Sequence, residues 1–323
     1  MPKKSTDYLL NLIKRLTPAE KRHFKVYVNR NNPKEDPLFL KLFDELDKRK
    51  SFDEKKTLRN IPEIKKVQLA NVKANLHKQL LASLRLLMRN SQKDIAIREQ
   101  IDFARVLYCK GLYHGALNLL ERTKRQAEEN QHFSLVQSIL EFEKHIEGMY
   151  ITGSMYPKAK TLTEESEMNV KVVSLENELS NLSLSLYGLY LQYGYVKNER
   201  DYNFVTDFFK NKMPEVDEEK LGFYGKLHLY QSYVWYYNMV QNFAYYYKYA
   251  QKWIDLFFGD ARWIKEETGL CLKGYHNVLN GLFMCQKPEK FKALLCEFKS
   301  LEKQHELNFS ESELSSFKLF ELT

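Results

Sequence analysis

The chain lacks the local patterns in which most enzyme chemistry is written. Its twelve glycines are scattered, and none forms GxGxxG or GxxxxGK[ST], so no phosphate-cradling loop is expected. HExxH is absent. No two of the eight histidines lie three or four residues apart, which excludes a metal site built on one helix. The four cysteines, Cys109, Cys271, Cys285 and Cys296, form no CxxC pair and read as reduced, mostly buried thiols. No run of eighteen apolar residues occurs, so no membrane span is expected. The opening MPKKSTDYLLNLIKRL is basic, but Asn11, Lys14 and Arg15 interrupt its apolar part. It does not read as a signal peptide, and the expected address is cytoplasmic.

Paired acids are present, at Glu141 and Glu143, at Glu164, Glu165 and Glu167, and at Glu266 and Glu267. None of these has the ExxH spacing of a di-iron bundle. They read as solvated helix faces, and Lys124 is placed on the outward side of its own helix. No Cys–His or Ser–His–Asp grouping is singled out by local context. The expectation is a protein that is not an enzyme and has no metal and no cofactor.

Charge is unevenly placed. Residues 1–90 hold 22 Lys and Arg against 10 Asp and Glu, a net of +12. The remainder holds 28 against 32, a net of −4. A basic first segment suits an acidic partner or nucleic acid, or is an ordinary solvated surface.

Helix signals run the length of the chain. A short helix is expected over 7–15. In LTPAEKRHFKVY, Thr17 is a cap, Pro18 takes the first helical position, and Glu20 completes a capping box. Phe24, Tyr27 and Val28 then share one side, with Lys21, Arg22 and Lys25 mostly off it. The stretch Arg30-Asn-Asn-Pro33 ends that helix. Another is expected over 37–49, with Phe39, Leu42, Phe43 and Leu46 inward. A helical turn follows at 55–58, then a long helix over 64–88 with the stripe Leu69, Val72, Leu76, Leu80, Leu84 and Leu87.

After Asn90 come five long amphipathic stretches, each broken once, at Lys110-Gly111, Gly153-Ser154, Asn198, Gln241 and Lys287-Pro288. Breaks every 40 to 45 residues are the mark of stacked helical hairpins. The fold class expected is all-α, an α-α superhelix over residues 91–323 with an N-terminal helical cap over 1–90. Within the first unit Tyr108, Gly111, Tyr113, Ala116 and Ala127 carry the small and aromatic pattern that resembles a tetratricopeptide (TPR) repeat. The resemblance implies that Gly111 and Ala116 sit where two helices approach closely, with Ala159 in the matching place one unit later. It extends over 92–305 as TPR-like hairpins rather than a regular array, since the period is longer and the usual boundary proline is missing. The opening LTPAEKRHFK helix before such hairpins also resembles an uncharacterised bacterial family, which implies no chemistry. Phe317, Leu319 and Phe320 suggest an unfinished last hairpin.

The strongest anomaly is aromatic. Between Phe223 and Tyr249 lie Tyr224, Tyr230, Tyr233, Trp235, Tyr236, Tyr237, Phe243, Tyr245, Tyr246 and Tyr247. Packing between hairpins accounts for part of them. The rest suit a recognition face for a peptide, because Tyr and Trp give large contact area for little ordering cost. Tyr230, Trp235, Tyr236, Tyr245 and Tyr249 are its candidate residues. The expected function is therefore a protein- or peptide-binding scaffold, with self-association open. The alternative is a nucleic-acid-associated regulator that lays Lys65, Lys66, Lys73 and Lys78 of the long basic helix along phosphates.

Overall fold

A computed structural model describes residues 4–31, 37–149 and 155–304. Those residues form fifteen α-helices and two 3-10 turns, with no strand among them. The expected break at Gly153-Ser154, the stop at Pro33 and the apolar residues Phe317, Leu319 and Phe320 lie outside the described residues. Contacts divide the chain into two compact units, residues 1–96 and 97–323.

The first unit holds α1 (Lys4–Arg15), α2 (Pro18–Asn31), α3 (Leu38–Asp47), α4 (Glu54–Asn60) and α5 (Leu69–Met88). The capping box forms: Thr17 N donates to Glu20 Oε2 at 2.7 Å, and Glu20 N to Thr17 Oγ1 at 3.3 Å. Ile13, Phe24, Val28, Leu42, Phe43, Leu46, Leu76 and Leu80 make one buried core, with Phe24 and Phe43 rings 4.8 Å apart. The long helix begins at Leu69, later than expected. Lys65 is extended, and a 3-10 turn over Lys66–Gln68 intervenes. The basic face of α2 is turned partly to α3, where Lys21 pairs with Asp47 and Lys25 with Asp44, both at 2.7 Å.

In the second unit seven helices are 17 residues long: α6 (Lys93–Cys109), α7 (Tyr113–Glu129), α8 (Phe133–Met149), α11 (Phe223–Met239), α12 (Phe243–Gly259), α14 (Thr268–Met284) and α15 (Pro288–Gln304). Between them stand α9 (Met155–Tyr193), α10 (Glu199–Lys212) and the short α13 (Arg262–Glu266). Four turns of three residues join α6–α7, α7–α8, α11–α12 and α14–α15. Each closes the same way, with its central residue at positive φ: Gly111 at 76°, Gln131 at 58°, Gln241 at 56° and Gln286 at 54°. In each, the next N–H reaches back five residues, as from Leu112 to Leu107 O at 3.0 Å and from His132 to Ala127 O at 2.8 Å. That is the Schellman arrangement, which satisfies carbonyls a helix end leaves open. Glycine is the usual occupant, yet glutamine takes three of the four places. Two of those side chains bridge to other elements: Gln131 Oε1 accepts from Phe223 N at 2.6 Å, and Gln241 Nε2 donates to Val196 O at 3.0 Å.

The hairpin reading needs one correction. The second and third amphipathic stretches were expected to part between Ser154 and Asn198, but α9 runs 39 residues without interruption. Its sequence from Lys158 to Tyr187 holds neither glycine nor proline, so nothing stops the hydrogen-bond ladder. Helix α8 lies antiparallel on the first half, with Asn169 Nδ2 donating to Phe133 O at 3.1 Å near its start. Helix α11 lies parallel to the second half, where Ser183 meets Gln231 at 3.2 Å and Tyr187 meets Trp235 at 4.6 Å between centroids. Both partner helices therefore begin opposite the middle of α9. Glu176 stands there, its Oε1 buried without a hydrogen-bond partner among the described residues, and burial pushes its pKa up to about 7.

Two further expectations are overturned. Ala116 is fully buried among α6, α7 and α8, as a close crossing requires, but Ala159 is exposed. The buried residue on that turn of α9 is Leu162, so the repeat register slips between the units. Lys124 does not face outward. It is buried, and its ammonium pairs with Glu143 at 3.0 Å and Glu165 at 2.7 Å. Glu143 is thus no solvated acid: burial raises its pKa, and Lys124 only partly offsets this. A close helix approach is found elsewhere, between α12 and α14. A Cβ on Gly281 would lie 3.1 Å from the Tyr247 Cα, and one on Gly274 would lie 3.1 Å from Ile254 Cγ1.

Candidate binding surface

Of the five aromatic candidates, Tyr230, Trp235 and Tyr236 are buried. Their polar atoms or rings are engaged within the fold. Tyr230 donates its hydroxyl to Glu218 at 2.6 Å, and Tyr236 stacks on Phe209 at 4.2 Å with its hydroxyl 3.3 Å from Thr206. The expectation that Trp235 and Tyr236 reach an outer surface is corrected: α11 is packed on two sides, against α9 and α12, so it buries more than one stripe. Tyr245 is exposed, at 46%, and Tyr249 is half-buried. These two join a ladder of rings: Tyr245 to Tyr237 at 5.0 Å, Tyr237 to Tyr249 at 5.7 Å, and Tyr249 to Tyr233 at 4.1 Å, all within 23° of parallel. The faces of the inner rings are covered by one another, so the ladder is mainly an α11–α12 packing device.

A different feature reaches the surface between α9, α11 and α14. Helix α14 reads TGLCLKGYHNVLNGLFM, with Lys273 its one formally charged residue. The Lys273 ammonium lies 4.5 Å from the Tyr187 ring centre and 5.2 Å from that of Trp235. Among the described residues it makes no ion pair, and burial lowers its pKa. His276, one turn on, is likewise lowered by burial and by the charge of Lys273. From this lysine an aromatic track continues along α9: Trp235 stacks on Tyr190 at 5.8 Å, and Tyr190 meets Tyr195 at 6.0 Å. Tyr195 opens into a cavity of about 460 Å³ at the α9–α10 turn, which Tyr193, Phe204, Lys197 and Arg200 also line. A second, more polar cavity of about 230 Å³ lies over Lys124, Glu143 and Glu165.

In the sequence Lys273 is marked only as the lone formal charge of its helix. Its partners come from helices distant in sequence, which local spacing does not reveal.

In the first unit the four lysines do not act as one row. Lys73 lies 3.4 Å over the Phe52 ring and is lowered by burial, and Lys66 stands 3.9 Å from Glu54. Lys65 and Lys78 are exposed. Among the described residues no group of three or more His, Cys, Asp or Glu is gathered for a metal ion, and no helix is long and apolar enough to cross a membrane. No family model matches the chain, and no curated protein or solved structure does either.

Proposed function

We propose that residues 91–323 form a TPR-like superhelical array of hairpins that binds a segment of another protein, without catalysis. The observation that carries this reading is Lys273. A partly desolvated ammonium resting on two ring faces, with no acid beside it among the described residues, lacks there the strongest partner a buried cation can have. An acidic side chain on a bound segment would supply that partner. The half-exposed rings of Tyr187 and Tyr190 beside it offer rigid contact area for the neighbouring residues.

Selection of random peptides by display against the intact protein and against Lys273→Met tests this. The parent should enrich acidic sequences, and the variant, which keeps the length of the side chain, should not. Equal enrichment by both, or none by the parent, would remove the reading. The nucleic-acid alternative draws on Lys65 and Lys78, the two of its four lysines that are exposed and make no contact described above. It requires an affinity for random duplex that falls steeply with salt.

A further inference from the structure

The cavity at the α9–α10 turn has a composition of its own. Val205 and Met239 form an apolar, buried floor, while Tyr193 and Phe204 stand exposed around it. Large exposed rings over an apolar floor hold area that a ligand would cover. Three charged side chains line the cavity, and they are not equivalent. Asp201 is occupied at the start of α10, where its Oδ2 accepts from Lys197 N at 3.4 Å and its own N–H donates to Asn198 Oδ1 at 2.9 Å. Lys197 and Arg200 are exposed and, among the described residues, make no ion pair. The wall is also fixed in place. Gly194 ends α9 at φ 70°, Val196 N donates to Met239 O at 2.9 Å, and Gln241 holds Val196 O from the next turn. A loop tied at both its N–H and its C=O presents a formed cavity, not one a ligand must order.

We infer that this cavity binds an apolar or aromatic carboxylate, its body on Val205 and Met239 and its anionic group between Lys197 and Arg200. The volume is too large for a bare anion and lies in the range of small-molecule sites. The two cations against one engaged carboxylate leave a single positive charge to be met. Guanidinium and ammonium together suit a carboxylate, which Arg can take with two parallel bonds. Such a group has two sources, a free small carboxylate or the last residue of a peptide chain. The site does not use Lys273, so its failure leaves the proposed function standing, and the reverse holds too.

Methyl-labelled methionine gives a local readout, since Met239 is on the floor and its signal can be assigned with Met239→Leu. The probes are N-acetyl-phenylalanine, its amide, acetate, and N-acetyl-tetraglycyl-phenylalanine, each titrated into the full chain. N-acetyl-phenylalanine should move the Met239 signal, with the amide about tenfold weaker for loss of a charge-assisted bond. Acetate should leave the signal in place. Arg200→Gln, at an exposed position, should weaken the carboxylate about tenfold and leave the amide unchanged. Lys248→Gln, on α12, should change neither. A tighter fit for the pentapeptide assigns the site to a chain terminus, and an equal or weaker one assigns it to a free carboxylate. A Met239 signal unmoved by N-acetyl-phenylalanine, or moved equally by its amide or by acetate, overturns the inference.

Discussion

The two halves of α9 solve the same packing problem with different chemistry. The first half meets α7 and α8 through polar groups. Lys124 joins Glu143 and Glu165, Lys144 donates to Ser166 at 2.6 Å, and Asn169 bridges to Gln137 at 3.0 Å. The second half meets α11 through Leu182, Leu186, Tyr187, Tyr190 and Trp235, with Ser183–Gln231 as a polar inclusion. One continuous backbone thus carries an ionic seam and an aromatic one. An aromatic seam gains from area removed from water and tolerates small shifts. An ionic seam depends on every partner being present, because a buried charge left alone is costly.

The largest expected effect is on the aromatic side. Trp235→Ala removes a buried indole that Tyr187 and Tyr190 flank, and should cost about 3–5 kcal/mol in denaturant titration. Next comes the ionic side. Lys124→Ala leaves Glu143 buried without its cation and should cost about 3 kcal/mol, whereas Lys124→Met with Glu143→Leu should recover most of it. If the single and double variants unfold alike, the seam is not held by charge pairing.

A smaller pair of substitutions tests the slipped register. Ala116→Leu should overpack the α6–α7–α8 crossing by roughly 1–3 kcal/mol. Ala159→Leu, on exposed surface, should stay within about 0.5 kcal/mol of the parent. Equal melting shifts for the two would restore the regular repeat. The smallest effect depends on pH and lies where the halves meet. Glu176 titrates near 4.5 when unfolded and at about 7 when folded. A raised carboxyl favours the fold below the unfolded value, and that contribution is lost as pH rises through the folded one. Glu176→Gln should therefore match the parent near pH 4 and exceed it near pH 8 by about 1–2 kcal/mol, discounted for partial exposure. An advantage that is flat with pH would mean the carboxyl is not desolvated.

Much of the helix content was legible in the sequence, because its signals are local. Thr17, Pro18 and Glu20 announce α2, and Lys110-Gly111 announces the first hairpin turn through the one residue that takes positive φ without strain. The turn at Gln131 carried no such mark beyond its spacing. The continuity of α9 was also written locally, in thirty residues without a glycine or proline, but periodicity pointed the other way. What was not legible is long-range. Lys124 looks like any helix-surface lysine until α8 and α9 bring two glutamates to it. Tyr236 looks like any surface tyrosine until Phe209 of α10 covers its ring. Of the surface described above, only the isolation of Lys273 could have been noticed, and its ring partners could not.

The unbroken course of α9 has a mechanical consequence. At 1.5 Å per residue, 39 residues form a rod of about 58 Å. Stacked hairpins ordinarily flex where one pair rests on the next, since only side chains cross that joint. Here the joint between α8 and α11 is crossed by a covalent strut with its own hydrogen-bond ladder. Bending there would require breaking main-chain bonds, not sliding one surface over another. A load applied at α11 is therefore delivered to α8 with little give.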